Sequence, residues 1–88
     1  MKRASETNQL LNKEHIVSST ELIGELARAR RKELALTQTD LAGLGGTGNR
    51  FIVDLEGGKP TIQMQKVLDT LNLLGLEVVI RPKTMRGL

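Results

Sequence analysis

The side chains able to do covalent or metal chemistry are few and poorly placed for it. Cysteine is absent and His15 is the single histidine, which removes a thiolate nucleophile, a cysteine–histidine pair and a thiolate or all-imidazole metal site. The carboxylates Asp54 and Glu56 stand two residues apart, a spacing that sends them to different faces of a helix and not into an acid–base pair. Glycine crowds positions 45–48, yet no Gly-Lys-Ser/Thr follows, so the Walker phosphate loop is not formed. These residues predict a non-enzyme with no cofactor and no metal. What remains is cationic and amide chemistry. Arg28, Arg30, Arg31 and Lys32 form one cluster, and Arg81, Lys83 and Arg86 follow near the end; 13 Lys/Arg against 10 Asp/Glu leave a net charge of +3. That balance suits a polyanion-binding surface without identifying one. Phe51 is the only aromatic residue, which argues against a module that stacks bases of RNA or single strands.

The elements that must position these groups are short. A chain of 88 residues is one domain and buries only roughly 60–65% of its unfolded surface, so its core is thin and a dimer would help. No apolar run approaches the ~18–20 residues of a membrane span, and the start lacks a signal-peptide core, so a cytoplasmic protein is expected. The chain divides into an arm at 1–17, a helical domain at 18–75, and a strand and tail at 76–88. The arm is polar apart from Leu10 and Leu11. Ser18, Ser19 and Thr20 offer caps for a helix over 19–34, whose inner stripe is Ile23, Leu26, Ala27 and Leu34 with Arg30 on its edge. Thr37 caps a second helix with Asp40 at the third position; Leu41, Ala42 and Leu44 face inward, and Gly45 and Gly46 stop it. A third helix over 48–56 buries Ile52 and Leu55 and ends at Gly57 and Gly58. A fourth over 61–74 follows Pro60, with the stripe Met64, Val67, Leu68, Leu71 and Leu74, and Gly75 closes it. Residues 76–80 are apolar and β-branched, and Pro82 bounds them, which reads as one strand. A lone strand leaves backbone donors and acceptors unpaired, and residues 15–17 are a poor second strand. The simplest solution pairs Leu76, Val78, Val79 and Ile80 with the same residues of a second copy. The expected fold is therefore mainly α, four to five helices with one C-terminal strand that pairs across a dimer.

The informative run is Thr37-Gln38-x-x-Leu41-Ala42, then Gly46, then Ile52-x-x-Leu55-Glu56-x-Gly58-Lys59. Two short helices joined by a glycine turn are the geometry of the helix-turn-helix, whose second helix enters the major groove while the first crosses the backbone. Over about residues 23–74 the chain resembles the phage repressor and Cro proteins, the Xre family. The narrower string Asn49-Arg50-Phe51-Ile52, Leu55-Glu56-Gly57-Gly58-Lys59-Pro60-Thr61, then Val67-Leu68 and Leu73-Leu74-Gly75-Leu76, looks like the HipB group of antitoxins. In that group a C-terminal strand follows the last helix, and the protein represses its own operon and binds a HipA-type kinase toxin.

The resemblance implies a sequence-specific repressor that binds double-stranded DNA at a palindromic operator as a homodimer, with a HipA-like kinase toxin as partner. By register it implies base-edge contacts for Asn49, Arg50, Val53 and Asp54. Chemistry permits these, since Asn pairs with adenine, Arg with guanine, and Asp accepts from cytosine N4. It implies phosphate contacts for Thr37, Gln38, Gly58 and Lys59, with Gln38 also bracing the recognition helix, and a structural brace between Arg31 and Glu56. Gly48 departs from the family's Ser or Thr cap. Plainer roles stand beside these. Thr37 is first a helix cap, Asp54 suits a helix-surface ion pair equally well, Phe51 suits core packing better than a base wedge, and the Arg28–Lys32 cluster suits a solvated face. Two other readings stay open, an Xre repressor with no toxin partner and a module that binds only protein.

Overall fold

A computed structural model describes residues 10–83. Residues 1–9 of the arm and 84–88 of the tail, with Arg86, lie outside that range. Among the described residues four complete helices follow in order, α1 (Thr20–Glu33), α2 (Gln38–Gly45), α3 (Asn49–Glu56) and α4 (Met64–Leu73). The third packs against both α1 and α2, and α4 packs against α2. The enclosed core is Ala27, Leu41, Ala42, Ile52, Leu55, Val67, Leu71 and Leu74, rimmed by Ile23, Phe51, Ile62 and Leu76.

Local chemistry accounts for the helix ends. Ser19 caps α1, its Oγ accepting from the Leu22 amide at 3.1 Å. Glu21 sits in the first turn and Arg30, Arg31 and Lys32 in the last, each sign matched to the helix dipole. Thr37 and Asp40 form a reciprocal capping box: the Asp40 amide donates to Thr37 Oγ1 at 3.0 Å, and the Thr37 amide donates to Asp40 Oδ2 at 2.9 Å. Those hydrogen bonds from Thr37, backbone first, hold the Asp40 carboxyl below the usual carboxylate range. Gly46 ends α2 in the left-handed region at φ 67°. The segment after α1 turns at Ala35, also left-handed at φ 59°, a conformation L-residues other than Gly, Asn and Asp adopt only at some cost.

The structure departs from the apolar pattern in three places. The fourth helix begins at Met64 and not at Thr61. Pro60 and Thr61 form a turn, with the Ile62 amide donating to the Lys59 carbonyl at 3.3 Å, and this turn delivers Ile62 to the rim of the core from outside the helix. The buried stripe is Val67, Thr70 and Leu71 on α4 with Leu74 at its C-cap, while Met64 and Leu68 face outward. Burying Thr70 is tolerated because its hydroxyl donates to the Lys66 carbonyl one turn back at 2.8 Å. Leu34 and Leu44, expected inside, are exposed; Leu34 lies just past the end of α1. Among the described residues there is no strand. Leu76 leans on the core, whereas Val78, Val79 and Ile80 are exposed, Ile80 at 95%. A strand exists only by pairing, and the described residues offer 76–80 no ladder. Arg30 anchors the start of this segment, its Nε donating to the Leu74 carbonyl at 2.7 Å.

Of the described glycines, Gly24 has the least room for a side chain. A Cβ there would lie 2.5 Å from the Leu55 carbonyl oxygen and 2.8 Å from that of Glu56, both backbone atoms of α3 with no room to yield. Helix propensity alone favours Gly24→Ala by about 1 kcal/mol. The contact outweighs it, and we expect a net loss of about 1–3 kcal/mol from overpacking. Urea unfolding checks this; a variant as stable as the parent would show that α1 does not need a glycine against α3.

Candidate nucleic-acid interface

One face of α1 grips the C-terminal end of α3. Thr20, Gly24 and Arg28 recur every fourth residue, with Arg31 three further on, and so share that face. The Thr20 hydroxyl donates to the Gly58 carbonyl at 2.8 Å. Gly58 is left-handed at φ 76°, and a Cβ there would lie 2.9 Å from the Glu21 Cα. Past Gly24, the contact becomes ionic. Arg31 Nε donates to Glu56 Oε2 at 2.5 Å and Arg31 Nη2 to Glu56 Oε1 at 2.9 Å, while Arg31 Nη1 donates to the Leu36 carbonyl at 2.8 Å. Both side chains are buried, 9% and 5% exposed. The hydrogen bond to Glu56 raises the Arg31 guanidinium above its ordinary value, with burial opposing and the carboxylate charge assisting. Gln38 Nε2 also donates to Glu56 Oε1, at 3.1 Å, and Arg28 Nε approaches the same oxygen at 4.0 Å. Glu56 thus joins α1, α2 and α3, and Gln38 keeps a second amide N–H for another acceptor.

With Ile52 and Leu55 in the core, the opposite side of α3 is left to solvent. Asn49, Arg50 and Val53 are exposed there, and Asp54 is half-buried. Arg50, Val53 and Asp54 share one face at three- and four-residue spacing. Asn49 Oδ1 accepts from the Thr39 hydroxyl at 3.3 Å, which leaves its amide nitrogen as the outward group. Thr39 escaped the sequence reading; its only signal was its place beside Gln38 at the start of α2. Gly48 caps α3 without a side-chain bond, and the buried Thr47 hydroxyl beside it has no partner among the described residues. Phe51 packs at the core rim with Lys66 Nζ 5.8 Å from its ring centroid, so it belongs to the core and not to the exposed face.

The end of α3 places Lys59. The Lys59 amide donates to the Asp54 carbonyl at 3.0 Å and the Gly58 amide to the Leu55 carbonyl at 3.1 Å, the paired bonds of a Schellman turn around left-handed Gly58. Lys59 Nζ then lies 3.5 Å from Asp54 Oδ2, and Arg50 Nε 3.3 Å from Asp54 Oδ1. The assembled surface therefore presents a guanidinium, an ammonium, two side-chain amides and one apolar methyl pair around a single helix. This arrangement can hydrogen-bond heteroatoms in a groove and neutralise anions at its edges. Among the described residues no group of three or more metal-ligating side chains assembles, and no helix is long and apolar enough to cross a membrane.

Because the Arg31–Glu56 pair is buried, removing one partner strands the other charge. We expect Arg31→Met to lower stability by about 3–5 kcal/mol, against roughly 0–1 kcal/mol for disrupting an exposed pair such as Arg50–Asp54 with Arg50→Met. Denaturant midpoints at constant slope measure both; equal small losses would mean that Glu56 is adequately solvated without Arg31.

No family model matches the chain. It is 57% identical over 58 residues to an uncharacterised HTH-type transcriptional regulator, y4mF, of Sinorhizobium fredii, an alignment that covers 66% of this chain and 76% of that protein. Identity at that level over most of the relative, together with a short helix, a glycine turn and a second short helix exposed on one side, leads to one conclusion. The chain belongs to the helix-turn-helix transcriptional regulators.

Proposed function

We propose that the chain is a sequence-specific repressor that binds double-stranded DNA through α3. The observation that carries this reading is the exposed face of Asn49, Arg50 and Val53, with half-buried Asp54 beside them, on a helix whose other side is fixed by the core and by Glu56. Arg50 reaches out at 84% side-chain exposure and suits the O6 and N7 acceptors of guanine; the Asn49 amide suits adenine, and Val53 a thymine methyl. Thr37 and Gln38 at the start of α2, and Gly58 and Lys59 past the end of α3, flank that face and suit phosphates, which set register without reading sequence.

The active species in this reading is a homodimer on an inverted repeat. Its support is the row of exposed apolar side chains at Val78, Val79 and Ile80, uncovered among the described residues; pairing residues 76–80 with a second copy satisfies the facing edge of each strand. The resemblance to HipB antitoxins extends the proposal to a HipA-type kinase toxin as partner. A kinase-like reading frame beside this gene, whose product is retained on the immobilised chain, is the check on that extension. A gene standing alone would leave the repressor without a toxin.

Binding across a salt series tests the DNA reading. Arg50→Ala should weaken the selected operator by about 1–3 kcal/mol per half-site and relax preference at one base pair, while weakening scrambled duplex less. Lys59→Ala should weaken operator and scrambled duplex alike and flatten the salt slope by about one. A chain cut before Gly75 should sediment as a monomer and lose its preference for an inverted repeat over a single half-site. If Arg50→Ala affects both duplexes equally, Arg50 grips backbone and the register is wrong; if neither variant changes binding, α3 serves a protein partner instead.

A further inference from the structure

Asp54 is the point on which both free-standing cations of the reading face converge. Arg50 Nε and Lys59 Nζ lie 3.3 and 3.5 Å from its two carboxylate oxygens, and its side chain is 20% exposed beneath an Arg50 that is 84% exposed and a Lys59 that is 51% exposed. The convergence is built into the backbone. Arg50 is one turn before Asp54, and the Schellman turn returns Lys59 to Asp54 through the 3.0 Å bond from the Lys59 amide to the Asp54 carbonyl.

We infer that Asp54 is a charge gate that sets discrimination between operator and random DNA, an inference that rests on the duplex-binding reading above. In the free protein its carboxylate holds Arg50 and Lys59 and cancels part of their field. On random duplex, phosphates can take the two cations, but nothing replaces them on the carboxylate, which is then left unpaired beside a polyanion. A guanine–cytosine pair at the right position offsets both changes. Guanine O6 and N7 receive Arg50, and a cytosine N4 amino group donates to Asp54. The gate therefore weakens binding wherever that donor is absent. Exposed pairs of this kind are weak, so they are exchanged readily and their effect is a few-fold one on each cation.

The test compares the full chain with Asp54→Asn and Asp54→Glu on two duplexes, one selected by the wild-type chain from a random-sequence library and one scrambled from it, across a potassium chloride series. Asn keeps the shape and removes the charge; Glu keeps the charge. The gate predicts that Asp54→Asn binds scrambled duplex about threefold to tenfold more tightly across the series. It also predicts that the operator-to-scrambled ratio falls, and that Asp54→Glu keeps that ratio within about threefold of wild type. If wild type discriminates and Asp54→Asn discriminates equally, or weakens both duplexes alike, the gate is wrong while the duplex-binding reading stands. If wild type binds neither duplex, that reading falls and the gate with it.

Discussion

The Glu56 carboxylate holds the molecule's functional half together. It lies at the end of α3, buried, and receives two hydrogen bonds from Arg31 of α1 and one from Gln38 of α2. A charge placed there is stable only while those donors reach it, because an unpaired carboxylate in so confined a site carries a large desolvation cost. Every contact around it works to the same end. Gly24 lets α1 touch the backbone of α3, Thr20 closes on the Gly58 carbonyl, and Arg31 also satisfies the Leu36 carbonyl that leads into α2. The apolar core supplies the burial; this polar junction selects the angle at which α3 stands against its neighbours.

That angle matters because α3 is only two turns long. A helix so short has little stability of its own and takes its orientation from what holds its ends. At its first residue the holding is light, since Gly48 offers no side-chain cap and Asn49 meets Thr39 at 3.3 Å. At its last residues the holding is heavy, with Glu56, the Schellman bonds and Gly58 against α1. The helix is pinned at one end and freer at the other, and the outward side chains Asn49 and Arg50 sit at the freer end.

How much of this was legible before the fold was known depends on the range over which each cause acts. Thr37, Asp40 and Gly46 act within a few residues, and the boundaries of α2 fall where those residues suggest. Ser19 and the glycines after Glu56 behave the same way. The start of α4 departs from its local signal for the opposite reason. Pro60 and Thr61 resemble a helix start locally, but the core requires Ile62 at its rim, and a turn there meets that need. Met64 and Leu68 suit an inward face by periodicity, yet the buried face runs through Thr70 instead, a polar residue that no hydrophobic pattern would select. Gly24 carried no signal, because the atoms that demand a glycine belong to Leu55 and Glu56, distant in sequence. The partners of Arg31 and Gln38 came from likeness to a family and not from spacing. Leu76 packs on the core while Val78, Val79 and Ile80 are left exposed among the described residues, so apolar character alone does not tell which of them the fold covers.

The division of labour along α3 has a consequence for how such a protein can change. Ile52, Leu55 and Glu56 face the frame, while Asn49, Arg50 and Val53 face water. Substitutions at the outward positions fall in the class that shifts stability by about 0.5 kcal/mol or less, whereas those at the inward ones fall in the class that costs several times as much. Binding preference and foldedness are therefore written on separate letters of one eight-residue word. Duplicated copies of such a gene can drift toward new targets through the outward letters alone, passing through no unfolded ancestor on the way.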